Sequence, residues 1–238
     1  MPRFFVTSSQ IENDTVHITG DDAHHLSRAL RAAVGDKITV CDMARSEYEC
    51  ELTAFLPDEV QARVLSRREA DTEPPVSITL YQALPKGDKL DTVIQKAVEC
   101  GVARIVPFES ERCVVRAKPE AEARKTERRV RIAQEAAKQC GRGLLPEVLP
   151  TVSFDEMLQR AHEATHTLFC FEGEGTEPIG TLLSRICPKR GETLALVIGS
   201  EGGFSLAEAE REAEQIMANL AQGGMTEENL LQSLFTIE

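Results

Sequence analysis

The first 70 residues alternate between apolar and polar positions in short runs, which predicts β-strands. The segment at 22–33 breaks this alternation, because apolar residues such as Leu26 and Leu30 recur there at helical spacing behind Asp22, a suitable N-cap. The predicted strands are 3–6, 15–19, 37–42, 48–56 and 59–65. Short strands with one helix predict a small β-barrel in residues 1–70.

From residue 76 the pattern changes to strands alternating with amphipathic helices. The Pro-rich, charged segment ADTEPPV at 70–76 separates the two patterns and is predicted to be a linker. The predicted strands are 76–84, 104–108, 165–171 and 194–198, and the predicted helices are 88–101, 119–140, 178–186 and 205–217. Ser205 and Glu208 form an S-x-x-E capping box at the start of the last helix. This alternation predicts an α/β domain with a mainly parallel sheet covered on both faces.

The segment IGSEGGFSLAE at 198–208 joins a predicted strand to a predicted helix and carries three glycines. Ligands of parallel α/β sheets bind just beyond the carboxyl ends of the strands, where this segment lies. Glycines let a ligand approach the main chain closely, and the following helix offers free N–H groups. The pattern GSEGG matches neither GxGxxG nor a P-loop.

Glu201 lies inside this turn and would repel a phosphate. The turn therefore favours a ligand that is neutral, positively charged or rich in hydrogen-bond donors. Two alternatives stay open at this point. The segment is also typical of an ordinary strand-to-helix turn, and a nucleotide-dependent α/β enzyme would rest on these glycines alone.

The net charge of −12 argues against a polyanionic partner, but the charge is unevenly distributed. Residues 73–150 carry 14 Lys and Arg against 11 Asp and Glu, whereas residues 151–238 carry 5 against 15. Basic residues fall in three loops that we expect at one edge of the sheet: Lys86 and Lys89, Arg112 and Arg116, and Lys138, Gln139 and Arg142. Such loops would form a rim that binds nucleic-acid phosphates. Solvated charges on ordinary loops are the alternative.

Seven cysteines are scattered along the chain without a CxxC pair. Their odd number and wide spacing predict reduced thiols and a cytoplasmic location. No His or Cys pair has metal-ligand spacing, so we expect no metal. No run of 18 apolar residues occurs, so we expect no membrane partner.

These segments resemble, in order and spacing, the bacterial 16S ribosomal RNA uridine-N3 methyltransferases of the SPOUT, or trefoil-knot, superfamily. The resemblance is carried by MPRFFV (1–6), HHLSRALRAAVGD (24–36), QALPKGDKLDTVIQKAVECGVARIVPF (82–108), SERCVVR (110–116), EAAKQCGR (135–142) and IGSEGGFSLAE (198–208). Together these motifs span residues 1 to about 210, which is most of the chain.

The resemblance implies a PUA-like RNA-binding β-barrel at 1–70 and a SPOUT-type α/β knot domain at 76–238. It implies that the second domain binds S-adenosyl-L-methionine among three loops and forms a homodimer. Two of the loops are identifiable: Phe171, Glu172 and Gly173, and Ile198, Gly199, Ser200, Glu201, Gly202 and Gly203. Ser200 stands where the family usually has proline.

The implied partner is 16S ribosomal RNA or the small ribosomal subunit. The expected RNA-binding residues are Arg3, His25, Arg28 and Arg31 in the barrel, and Lys86, Lys89, Arg112, Arg116, Lys138, Gln139 and Arg142 in the basic loops. For the pair His24-His25, packing of one ring at the helix start is the alternative to a contact with RNA.

The end of the chain departs from the family pattern. That pattern closes with Leu-Gly-x-Arg-Ile-Leu-Arg-x-Glu-Thr-Ala, which threads the knot and supplies an arginine thought to act in catalysis. This chain has NLAQGGMTEENLLQSLFTIE at 219–238, without Lys or Arg after Arg211. Thr226 is a candidate cap for a short helix. Its apolar face would be Leu230, Leu231, Leu234 and Phe235.

Two functions follow from this sequence. The first is S-adenosylmethionine-dependent methylation of N3 of a uridine in 16S ribosomal RNA, with Arg112, Arg116 and Arg142 as candidates for the missing catalytic cation. The second is an inactive paralogue or truncated relic that binds RNA without methyl transfer. Binding of S-adenosylhomocysteine separates the two, since the relic would bind RNA alone.

Overall fold

The computed structural model describes residues 1–173, 176–221 and 234–236, with side chains up to residue 216. These residues form two compact units, the first within 1–73 and 134–145 and the second within 74–133 and 146–238. The division after residue 73 falls inside the Pro-rich segment predicted as a linker. The sequence did not predict that residues 134–145 belong to the first unit, because a helical pattern does not indicate which hydrophobic core the end of the helix contacts.

A six-stranded sheet forms the first unit. Its strands are β1 Arg3–Phe5, β2 Ile11–Glu12, β3 Thr15–Thr19, β4 Lys37–Cys41, β5 Ser46–Phe55 and β6 Glu59–Glu69. The strand order is β1-β4-β5-β6-β3-β2, with β1 parallel to β4 and the other neighbours antiparallel. Alternate residues such as Val16, Ile18, Ile38 and Val40 are buried in one core, which is the burial that the sequence alternation predicts.

The helix predicted over 22–33 is shorter than expected and of mixed type. It consists of α1, Gly20–His24, followed by a π-helical turn at His25–Ala29. Leu26 is fully buried, whereas Leu30, predicted on the same face, is 43% exposed. The π turn is the physical reason, because it rotates later side chains away from the 3.6-residue period.

Arg142 is buried in the first unit and paired with Glu73. The Arg142 Nε donates to Glu73 Oε2 at 2.9 Å, and the main-chain N–H of Gly143 donates to Oε1 of the same carboxylate at 2.9 Å. Only 5% of the Arg142 side chain is exposed. In the same unit, the Lys138 Nζ donates to Asp22 Oδ1 at 2.6 Å.

The second unit is built on an eight-stranded sheet in which every pairing is parallel. Its strands are β7 Ser77–Ala83, β8 Arg104–Glu109, β9 Glu147–Val148, β10 Val152–Ser153, β11 His166–Cys170, β12 Glu177–Pro178, β13 Thr193–Ile198 and β14 Leu234–Thr236. The order is β10-β8-β7-β13-β11-β14-β12, and β9 also pairs with β8.

Five helices follow the strands of this sheet. They are α2 Lys89–Glu99, α3 Pro119–Cys140, α4 Phe154–Ala161, α5 Ile179–Ile186 and α6 Leu206–Ala221. α3 has the bounds predicted from its opening proline and the glycine after Cys140. Within the described part of the chain, no helix is long and apolar enough to span a membrane.

Adjacent residues of β11 show that both faces of the sheet are covered. Leu168 packs in one cluster with Leu182 of α5. Phe169, the next residue, contacts Phe154 of α4 edge-on and lies 4.2 Å from the ring centroid of Phe204. Successive strand residues point to opposite faces, so α5 and α4 lie on opposite sides, as an α/β sheet requires.

The helix α4 was not predicted from the sequence. Its buried residues Phe154, Met157, Leu158 and Ala161 have the i, i+3, i+4, i+7 spacing of an amphipathic helix, so the sequence carries a signal for it. Its cap is a second signal, since the Glu156 N–H donates to Ser153 Oγ at 3.2 Å and two acidic residues follow.

The strand β14 corrects part of the expectation for the tail. Leu234 and Phe235, predicted on the face of a short helix, lie in a strand that pairs with β11 on one side and β12 on the other. Two parallel neighbours satisfy the N–H and C=O groups of this segment, and Phe and Thr suit a strand. Thr226, Leu230 and Leu231 lie outside the described residues.

Replacing Arg142 by Ala is expected to destabilise the first unit by about 3–5 kcal/mol, because it leaves the Glu73 carboxylate buried without its cation. Urea unfolding followed by circular dichroism measures the change. The matched control is Arg28→Ala, at an exposed position of the same unit, where the expected change is within about 0.5 kcal/mol. Equal stability of the two variants would contradict the structural role of Arg142.

Candidate functional site

The register of the parallel strands brings four strand ends to one edge of the second unit. Ile198, the last residue of β13, pairs with Cys170 of β11 on one side and with Gln82 of β7 on the other. Next in the sheet, Ala83 of β7 pairs with Phe108 of β8. The segments that follow these four strands therefore begin side by side at the carboxyl edge, where α/β sheets bind ligands.

The turn after β13, residues 199–203, is called the glycine turn below. It closes on itself, since the Gly203 N–H donates to Ser200 O at 2.9 Å and Gly203 has a φ of +62°. A Cβ built on Gly199 would lie 3.1 Å from both C and Cα of Gly203. A side chain at Gly199 would therefore crowd the main chain of Gly203, and the positive φ of Gly203 favours glycine there.

The carboxylate of Glu201 is held by the segment that leads into α2. The Lys89 Nζ donates to Glu201 Oε1 at 2.6 Å, and the Lys86 N–H donates to the same oxygen at 3.1 Å. The hydrogen bond from Lys89 is the main reason that the pKa of Glu201 falls to about 2. Glu201 therefore faces hydrogen-bond donors, as the sequence suggests, but these donors belong to the protein.

A second segment, residues 110–116 after β8, contacts the other side of the turn. It is called the arginine segment below. The Arg112 Nη1 donates to Gly202 O at 2.9 Å, and a Cβ on Gly202 would lie 3.3 Å from Arg112 Cβ. Arg116 holds the segment itself, because its guanidinium donates to the carbonyls of Ser110 and Glu111 at 3.0 Å each.

Gln82 fixes the base of the turn. The Gln82 Nε2 donates to Gly199 O at 3.0 Å, and the side chain is buried. Beside it, the Ser200 hydroxyl is buried and has no hydrogen-bond partner among the described residues. A buried hydroxyl without a partner costs free energy, so the Ser200 hydroxyl is a candidate contact for a ligand at this edge.

The predicted loop after β11 lies next to the turn through the pairing of Cys170 with Ile198. Its Phe171 ring folds onto Gly173, where a built Cβ would lie 2.2 Å from the ring. A side chain at Gly173 would therefore displace the Phe171 ring. Glu172 is exposed.

The remaining predicted site residues belong to the first unit. Arg142 and Lys138 are paired with carboxylates as described above, and Gln139 is exposed. The Arg3 Nη1 lies 2.7 Å from Glu47 Oε2. Two of the three basic loops, carrying Lys86, Lys89, Arg112 and Arg116, therefore adjoin the glycine turn within the second unit.

Three of the four residues expected to bind RNA from the first unit are accessible, whereas the Arg3 side chain is 13% exposed. His25, Arg28 and Arg31 are exposed, and Arg31 has a φ of +50°. The His25 ring centroid lies 6.4 Å from that of Phe4.

Comparison with known proteins decides the family of this chain. A family model described as an RNA methyltransferase domain matches residues 72–223, and a model described as an RNA methyltransferase PUA domain matches residues 18–65. The ribosomal RNA small subunit methyltransferase E of Bacillus subtilis is 35% identical over 220 residues, covering 90% of this chain and 86% of that protein. The chain belongs to this methyltransferase family.

Solved structures agree with this membership in the methyltransferase E family. The Neisseria gonorrhoeae methyltransferase E bound to S-adenosyl methionine is 27% identical, with a TM-score of 0.79 over 100% of this chain and 89% of that chain. A putative methyltransferase of Legionella pneumophila in complex with SAM is 26% identical, with a TM-score of 0.77 over 99% and 88%. The predicted family and SPOUT α/β fold with a PUA-like domain are confirmed.

Two side chains that hold this edge together were not predicted from the sequence. Gln82 precedes the basic loop QALPKGDK and carries the only side-chain amide at that strand end. Ser110 opens the arginine segment and bonds to Glu208 of α6, a residue predicted only as part of a capping box. Their partners lie 117 and 98 residues away in the sequence, so no local pattern identifies them.

Replacing Lys89 by Gln is expected to raise the pKa of Glu201 from about 2 toward its ordinary value of 4.5, since the main cause of the lowering is removed. A carboxylate with a lowered pKa stabilises the fold fully above pH 4.5, and this contribution is lost as the pH falls through about 2. In the Lys89→Gln variant this pH-dependent contribution would shrink, because the folded and unfolded pKa values of Glu201 come closer together.

Carbon-detected NMR titration of the glutamate carboxyl groups measures this pKa. Lys96→Gln is the matched control, because Lys96 is in the same helix and pairs with Glu99 instead. An unchanged Glu201 titration in the Lys89→Gln variant would show that Lys89 does not set the charge state of the turn.

Proposed function

We propose that this chain transfers a methyl group from S-adenosyl-L-methionine to N3 of a uridine in 16S ribosomal RNA. The observation that carries the proposal is the glycine turn. It lies at the carboxyl edge of a SPOUT-type sheet and contains a buried hydroxyl without a partner among the described residues. Membership of the methyltransferase E family and the bound SAM of two structural neighbours support it.

The residues of the edge fit the methyl donor. Three of the five residues of the turn, Gly199, Gly202 and Gly203, carry no side chain, so an adenosine can approach the main chain there closely. The Ser200 hydroxyl supplies a further group, and the loop at Phe171, Glu172 and Gly173 forms the neighbouring wall. When bound, S-adenosylmethionine supplies a methyl group on a positively charged sulfur.

Uridine N3 carries a proton that normally takes part in base pairing. The base must therefore be unpaired, and loss of the proton spreads negative charge over O2 and O4. A fixed cation near these oxygens lowers the barrier. Among the three candidate arginines we propose Arg112, because a guanidinium has five donors and its bond to Gly202 uses one.

Arg116 and Arg142 have structural roles that fit catalysis less well. Arg116 donates to two carbonyls of its own segment, and Arg142 is buried against Glu73 in the first unit. We propose that Arg116, Lys86 and Lys89 meet RNA phosphates instead, together with the exposed His25, Arg28 and Arg31 of the PUA-like domain. Gln139 remains a proposed RNA contact, whereas Arg3, Lys138 and Arg142 are paired with carboxylates.

The knot, the homodimer and the cytoplasmic location are parts of the same proposal. The position of β14 between β11 and β12 supports a threaded chain end, because β11 and β12 are joined directly by residues 171–176. The homodimer and the location rest on the family resemblance, and light scattering on the purified protein tests the dimer.

An RNA-binding relic without methyl transfer is the second candidate. The observation that favours it is the tail, which has no Lys or Arg after Arg211 and lacks the closing motif of the family. Retained RNA binding without binding of S-adenosylhomocysteine would establish this alternative.

Incubation with radiolabelled S-adenosylmethionine and unmethylated small ribosomal subunits is expected to label one uridine at N3, read by mass spectrometry of the digested RNA. Arg112→Ala is expected to lower kcat by about 10²–10³-fold, the loss typical of one charge-stabilising donor. The exposed Arg124 of α3 provides the matched control. Label on a different atom would overturn the N3 assignment, and equal kcat in both variants would remove Arg112 from catalysis.

Ser200→Ala is expected to have opposite effects on the free and the ligand-bound protein. Removing a buried hydroxyl without a partner stabilises the free protein by about 1 kcal/mol. The same change weakens S-adenosylhomocysteine binding roughly fivefold if the ligand satisfies the hydroxyl. Melting temperature and calorimetric Kd are the two measurements. Ser205→Ala is the control, and an unchanged Kd in Ser200→Ala would exclude the hydroxyl from the binding site.

A further inference from the structure

Glu208, in the first turn of α6, is a buried carboxylate held by donors from two parts of the chain. It is 3% exposed. The Ser205 N–H donates to Glu208 Oε2 at 3.0 Å, which closes the predicted capping box. The other two donors come from the arginine segment: Ser110 Oγ to Oε2 at 3.2 Å, and the Glu111 N–H to Oε1 at 2.8 Å.

No ion pair to Glu208 is found among the described side chains, so these neutral donors stabilise its charge. Hydrogen bonds to a charged group are stronger than neutral ones, and losing them leaves a buried charge unsatisfied. If the arginine segment moved away, the carboxylate would keep only the Ser205 bond. The position of this segment is therefore linked to the start of α6.

The glycine turn ends where α6 begins, and it is bonded to the same segment at a second point. The Arg112 Nη1 donates to Gly202 O. The Ser205 N–H bound by Glu208 is two residues beyond Gly203. The arginine segment is thus connected to the turn at Gly202 and to the start of α6 at Glu208.

We propose that Glu208 is a positioning residue that couples methyl-donor binding at the glycine turn to RNA binding at the arginine segment. The inference rests on the proposed function. A ligand that orders the glycine turn also orders the arginine segment through Glu208. Arg112 and Arg116 are then held in position before RNA binds. Because coupling between two sites is reciprocal, RNA tightens binding of the donor by the same factor.

The experiment measures the Kd of an RNA hairpin from the small subunit with and without saturating S-adenosylhomocysteine. In the wild-type chain the ligand is expected to tighten RNA binding about tenfold. In Glu208→Ala the ratio of the two Kd values is expected to fall to about one. Glu210→Ala is the matched control, because Glu210 is exposed in the same helix and its loss changes the net charge equally.

Two serine variants separate the cross-segment bond from the helix cap. Ser110→Ala removes one donor from the arginine segment and is expected to lower the coupling ratio. Ser205→Ala removes the hydroxyl that accepts from the Glu208 N–H at 3.2 Å but leaves both bonds from the arginine segment, so the ratio is expected to persist. If Glu208 had only a structural role, every variant would have a lower melting temperature, and the coupling ratio would stay at its wild-type value.

Glu208→Gln tests rescue by the conservative variant. Its amide oxygen can still accept from the Glu111 N–H, and the Ser110 hydroxyl can accept from its NH₂ group. Partial recovery of the coupling ratio is expected, and hydrogen exchange at residues 110–116 is expected to slow on ligand binding in this variant but not in Glu208→Ala. An equal ratio in the wild type, Glu208→Ala and Glu210→Ala would overturn the coupling while leaving the proposed function intact. A wild-type chain that does not bind S-adenosylhomocysteine would overturn both.

Discussion

The close approach of Gly199 to Gly203 is the constraint on which the site depends. A Cβ on Gly199 would lie 3.1 Å from the main chain of Gly203, and Gly203 has a φ of +62°, which favours glycine. The turn can keep this shape because β13 is central in the sheet and is paired on both sides up to Ile198. A parallel edge thus presents a glycine-rich turn where α/β sheets bind ligands.

Charged side chains hold this bare turn from both sides. Lys89 and the Lys86 N–H bind Glu201 on one side, and Arg112 binds the Gly202 carbonyl on the other. The basic residues that the charge distribution singled out therefore also shape the turn. These basic residues thus give one edge of one domain a local concentration of cations, although the whole chain has a net charge of −12.

Much of this architecture is predictable from sequence, and the exceptions have physical causes. The strands of the first unit and the helix α3 follow from periodicity and from their flanking Pro and Gly residues, and the capping box of α6 follows from Ser205 and Glu208. The helix α4 was predictable as well, because its apolar residues have helical spacing, but it was not predicted. Arg142 was expected at an RNA-binding rim, but its pairing with Glu73 depends on a contact 69 residues away.

The tail shows how far tertiary context can outweigh a local pattern. Apolar spacing favoured a helix containing Leu234 and Phe235, yet these residues pair as a strand between β11 and β12. Their sequence differs from the closing motif of the family, while their position in the sheet is that of an inserted strand. We propose that this edge, with this tail, still forms a binding site for the methyl donor.

Calorimetric titration of the purified full-length chain with S-adenosylhomocysteine tests directly whether this binding site forms. We expect one site per chain with micromolar affinity, which is a binding free energy on the order of −8 kcal/mol. Absence of binding heat at several temperatures, from protein shown by circular dichroism and cooperative melting to be folded, would contradict it. The glycine turn would then be a structural remnant, and the chain would be an RNA-binding protein without methyl transfer.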